Sequence, residues 1–109
     1  MEEEKQLLEN LDLCEPSKTL FITNYKLLKR ELTKCKKSLK EIKEHITNAK
    51  DIDEKDYFER NSYFLHLSIV RIKKALDVAK SILEEGVTND KMIVFYLSFY
   101  HLYEVIDYV

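Results

Sequence analysis

A single glycine, Gly86, and a single proline, Pro16, in 109 residues constrain this chain more than any other feature. All-β folds need many Gly- and Pro-rich turns, and phosphate-cradling loops need several glycines. Helices need neither residue in their interiors. Hydrophobic residues make up 45% of the chain, enough to build a core and too many for intrinsic disorder. The expectation is an all-α bundle of three or four helices in one domain, 1–109, with two long helices and an apolar C-terminal helix.

The first segment, Glu2 to about Leu13, predicts a short amphipathic helix through Leu7, Leu8 and Leu11, which Pro16 interrupts. Ser17 is placed to cap a second helix. From about Lys18 to Asn48, apolar residues recur as Phe21, Tyr25, Leu28, Leu32, Cys35, Leu39, Ile42 and Ile46. Steps alternating between four and three define one heptad-like seam on a long helix with a solvated back. A polar break comes next, and Asp53 with Asp56 suits the start of a third helix, from about Glu54 to Glu85. That helix carries two adjacent stripes. One contains Phe58, Leu65, Ile69, Ile72, Leu76, Ala79 and Leu83; the other contains Tyr57, Phe64, Ser68, Arg71, Ala75, Val78 and Ile82. So wide a face predicts more than one packing neighbour. Gly86 stands where a helix C-terminus wants a residue with positive φ.

After the capping cluster Thr88-Asn89-Asp90, only Ser98, His101, Glu104 and Asp107 interrupt an apolar run from Met92 to Val109. A helix apolar on nearly all sides is expected to be buried all round. Two long helices and a short one are too little protein to enclose it, so the pattern predicts an obligate partner. Tyr96, Tyr100, Tyr103 and Tyr108 add rings whose hydroxyls suit interfaces. The expected partner contacts are Leu28, Leu32, Leu39 and Ile42 on the seam, and Phe95, Tyr96, Phe99, Tyr100 and Tyr103 on the last helix.

Charge is unevenly spread although the net charge is only −2. Residues 1–15 carry a net −5. Residues 26–50 carry nine bases against Glu31, Glu41 and Glu44, a net +6. The basic stretch reads first as the solvated face of a helix and second as a phosphate-facing stripe, so direct DNA contact is left open. Two cysteines, Cys14 and Cys35, are too few for a disulfide framework, and no secretory leader opens the sequence; the expectation is a reducing, intracellular compartment. No pair of His or Cys has metal-ligand spacing, so neither metal nor cofactor is expected. A tail anchor through residues 92–109 is disfavoured by Glu104 and Asp107, and no membrane association is expected.

Two family likenesses bear on function. Arg60-Asn61 followed by His66 has some similarity to the Arg-Asn…His motif of HEPN-type ribonuclease toxins, with Arg60 in ion pairs to Asp56 or Glu59 and a packed His66 as the structural alternative. The wider order of features resembles the helical A domain of GINS replication subunits, most like the first Psf subunit and then the Sld type. The resemblance covers residues 18–109. A Lys- and Leu-rich helix leads to an acidic break. Glu59-Arg60-Asn61 opens the central helix, with Phe64-Leu65, Ile69-Val70-Arg71-Ile72-Lys73 and Leu76-Asp77 beyond. Phe95 and Leu102 lie seven apart in an aromatic last helix. The family's small β-rich B domain has no counterpart here, so the expectation is an A-domain-only member. The resemblance implies a nuclear, non-catalytic subunit of the heterotetrameric GINS complex, which joins the MCM helicase at initiation and fork progression. Glu59 and Arg60 would form a structural ion pair. The alternatives are the HEPN-like ribonuclease or an unrelated helical interaction module.

Overall fold

A computed structural model describes the backbone of residues 2–106 and the side chains of residues 2–99. It is all-α: α1 (Glu2–Glu9), α2 (Ser17–Thr47), α3 (Ile52–Glu85) and α4 (Asn89–Ile106), with no strand among the described residues. The molecule measures 55 × 27 × 20 Å. Helices α2 and α3 pack along each other as an antiparallel hairpin, and α4 folds back against α3.

The local chemistry that starts and stops each helix differs in part from expectation. Pro16 occupies the N-cap of α2 and makes no side-chain cap bond; Ser17 is already helical. The Glu15 carboxylate takes over, accepting the Thr19 N–H at 3.2 Å and the Thr19 hydroxyl. An acidic acceptor suits the positive end of a 31-residue helix. Helix α3 begins earlier than the Asp53–Asp56 pair predicts, because Asp51 is its N-cap and accepts the Glu54 N–H at 2.8 Å. The Thr88 hydroxyl accepts the Lys91 N–H at 3.2 Å and caps α4.

The α3–α4 turn is secured from both sides. Gly86 has φ 115° and ψ 162°, a conformation essentially confined to glycine. The Lys91 ammonium reaches back and donates to the Glu85 carboxylate at 3.3 Å, the Gly86 carbonyl at 3.4 Å and the Ser81 carbonyl at 3.5 Å. A cation is thus held over the negative end of α3, where terminal carbonyls lack helical partners.

Both stripes of α3 are used. Ile69, Ile72 and Ala79 from the first, and Ser68, Ala75 and Ile82 from the second, are buried. Ile72, Ala75, Ala79 and Ile82 meet Phe21 and Leu28 of α2, Phe95 of α4 and Leu11 from the segment after α1 in one cluster. Ser68 is satisfied by donating its hydroxyl to the Phe64 carbonyl at 3.0 Å. The cluster occupies only one end of the long hairpin. Towards the α2–α3 connection, Ile42, Ile46, Phe58 and Leu65 are half-buried, and Tyr57, Tyr63 and Val70 are exposed. Along this arm of the hairpin, among the described residues, no buried side chain of a third helix joins the two. His45 stacks on Phe58 near its tip, ring centroids 5.0 Å apart.

Candidate partner interface

Helix α4 sorts its apolar residues by face. Phe95 is fully buried, its ring 5.0 Å from that of Phe21 on α2. Tyr96 packs edge-on to Phe95 at 5.3 Å, with the Asn24 side chain near its hydroxyl. Partial burial raises the Tyr96 phenol above its ordinary value, against the opposing influence of Asn24. Met92 and Phe99 lie half-buried beside them. On the opposite side of the helix, Ile93 and Leu97 are 57% and 55% exposed, and Val94, on the flank beside Asp77, Val78 and Ser81 of α3, is 43% exposed. At about 100° per residue, Ile93 and Leu97 point nearly straight away from Phe95. Burial all round is therefore not achieved by the chain itself. Its own helices cover one face of α4 and leave the other apolar and open.

The expected contact residues divide accordingly. Leu28 and Phe95 are fully enclosed and Leu39 is buried, so the chain itself takes up these side chains and they add nothing to its surface. Leu32 and Ile42 are half-buried along the α2 seam. Tyr96 and Phe99 retain partial exposure. The side chains of Tyr100 and Tyr103 lie outside the described residues. The heptad seam of α2 thus packs mainly against α3. Among the described residues, the exposed large apolar side chains are Ile93, Val94 and Leu97 on α4, Ile52, Tyr57, Tyr63 and Val70 on α3, and Leu20 on α2. Spacing does not single these out, because in α4 every face reads as apolar and in α3 the exposed rings adjoin the buried stripes.

The expected Glu59–Arg60 ion pair is replaced. Arg60 bonds Asp56, one turn earlier, at 2.5 Å, and Glu59 makes no ion pair among the described residues. Four residues is the spacing that brings two helical side chains together, whereas adjacent residues point apart. His66 is exposed, not packed. Arg60 and His66 share one continuous helix, about 9 Å apart along the axis and ~120° around it, so this helix does not converge them on one point.

Other polar features are structural. A cleft of about 390 Å³ between α1, α2 and α3 is lined by Glu3, Glu4, Tyr25, Lys29, Asp77 and Lys80 among others. Lys29 donates to Glu4 at 2.8 Å, a bond that raises the lysine above its usual value, and sits 5.3 Å from the Tyr25 ring centroid. Burial also raises the Cys35 thiol, which favours its neutral, unreactive form. Among the described residues no cluster of His, Cys, Asp or Glu is arranged to hold a metal ion. No described helix is long and apolar enough to cross a membrane. No known protein-family profile, curated protein or solved structure matches the chain.

Proposed function

We propose that this chain is a non-catalytic assembly subunit that docks a protein partner through the outer face of α4. The observation that carries this reading is the exposure of Ile93 and Leu97 on the side of the helix opposite the buried Phe95, with Val94 exposed on the flank. Burying what remains exposed of these three side chains is worth roughly 2–5 kcal/mol. Association costs about 4–15 kcal/mol, so the three do not suffice alone. Further contact must come from elsewhere on the chain, and Tyr57, Tyr63 and Val70 are also exposed, on α3.

For the partner we propose sibling subunits of a GINS-type complex in the nucleus, with the MCM helicase reached through that complex. Support comes from the Glu59-Arg60-Asn61 element at the start of the central helix and from the aromatic last helix. The role is geometric: stiff helices would present fixed apolar faces and hold the helicase components in register. Affinity capture of the full chain from proliferating cells, followed by mass spectrometry, tests both levels. Recovery of GINS and MCM subunits, lost in an Ile93→Lys, Leu97→Lys double variant, is the expected result. Recovery of other proteins with the same loss leaves the docking face standing and removes the replication role. Capture unaffected by the double variant removes the docking face.

A further inference from the structure

The basic half of α2 forms a surface distinct from the α4 face. Lys29, Lys36, Lys40 and Lys43 follow one another at steps of seven, four and three, so they form one line about a quarter-turn from the buried seam. The line is ~21 Å long on a single uninterrupted helix. Lys37 flanks it, and all five side chains are exposed. Lys29 is neutralised by Glu4 of α1. Lys36, Lys37, Lys40 and Lys43 make no ion pair among the described residues, even though Glu41 and Glu44 stand on the same helix. Four like charges are thus held close together with no acid paired to them.

We propose that this lysine ridge is a docking surface for the phosphate backbone of duplex nucleic acid. Three absences from the line favour that occupant. It carries no exposed aromatic ring, which single-stranded nucleic acid would need for base stacking. It carries no large exposed apolar side chain, which a protein interface needs at its centre and an amphipathic membrane helix needs for insertion. It carries no arginine fork for bidentate base reading, so contact is made by point charges and is independent of sequence. The acidic α1, fixed to the ridge's N-terminal end through Glu4 and Lys29, repels the same ligand and confines contact to residues 36–43.

The test is fluorescence anisotropy of the full chain with a labelled duplex of about 20 base pairs, titrated at salt concentrations from about 20 to 200 mM. Binding is expected at low salt, with log K falling against log salt at a slope between about −3 and −4, near 0.9 per lysine engaged. A Lys36→Glu, Lys40→Glu, Lys43→Glu variant is expected to lose binding, while Lys73→Glu, Lys74→Glu on α3 retains it. Should the triple variant lose its helical circular dichroism, the same positions changed to Gln serve instead, with a slope expected to shrink by about 0.9 per lysine. No duplex binding at low salt overturns the proposal. So does a triple variant that binds like the parent, or a preference for phosphatidylserine vesicles or single strands over the duplex.

Discussion

At the scale of single residues, the α3–α4 turn shows how much one atom decides. A Cβ built on Gly86 meets nothing within 4 Å, so space is not the issue there. The backbone conformation is, because φ 115° with ψ 162° lies where side-chain-bearing residues are strained by about 1–3 kcal/mol. Gly86→Ala should therefore lower the free energy of urea unfolding by that amount with no change in slope; an unchanged midpoint would mean that the turn relaxes freely. The adjacent Lys91 makes a pH-dependent contribution. Its ammonium, with help from Ser81, holds the Glu85 carboxyl below the usual carboxylate range. A depressed folded value means that the stabilisation is complete above the ordinary glutamate range and is lost as pH falls through the lowered one. Because Glu85 is exposed, the effect is small and screened by salt. The gap in urea midpoint between the parent and Lys91→Met should narrow as pH drops from about 6 to about 3, and a gap independent of pH would refute the coupling.

At the scale of elements, the hairpin is unequal along its length. Near α4, residues 68–82 of α3 lie under a third helix and supply all six of its buried side chains. Towards the α2–α3 connection, none of residues 52–65 of α3 is fully buried. Local opening follows burial, so amides of residues 55–64 should exchange at least about tenfold faster than those of residues 69–83. Uniform protection along α3 would show that the arm is stabilised by something other than packing. This inequality marks how far the sequence was legible. Four helices, the heptad seam from Phe21 to Ile46 and the two stripes of α3 follow from periodicity, and each stripe contributes buried residues. Periodicity says which side of a helix is apolar but not how far along it a neighbour extends. That distance is set by the length of α4 and the turn at Gly86, so the exposure of Tyr57 and Tyr63 was not legible; Val70 lies within the covered length and is exposed because it points away from Ile72. The capping errors are of the same kind: Asp51 and Asp53 are equally good caps by composition, and the chain path into α3 decides between them.

At the scale of the whole molecule, the apolar residues divide into enclosed ones and outward-facing ones of the proposed docking face, and substitution should separate them. Leu28 and Phe95 sit at the meeting of α2, α3 and α4 with no exposed surface. Removing either side chain leaves a cavity in a small core, and Leu28→Ala or Phe95→Ala should cost about 2–5 kcal/mol of folding stability. For a domain of this size such a loss is a large part of the total. Ile93 and Leu97 face outward and are more than half exposed, so a replacement there removes little internal contact. Ile93→Lys and Leu97→Lys should therefore change folding stability by no more than about 0.5 kcal/mol each. The same two changes place a charge in the face proposed to dock, where burying an unpaired ammonium is far costlier than losing apolar area. Association, followed by sedimentation velocity with and without partner or as a function of the chain's own concentration, should thus respond in the opposite order. The lysine variants should lose it while remaining folded, and an alanine core variant should retain it in whatever fraction stays folded. The reverse pattern would place the outer face of α4 in the fold and leave the molecule without the surface on which its assembly role rests.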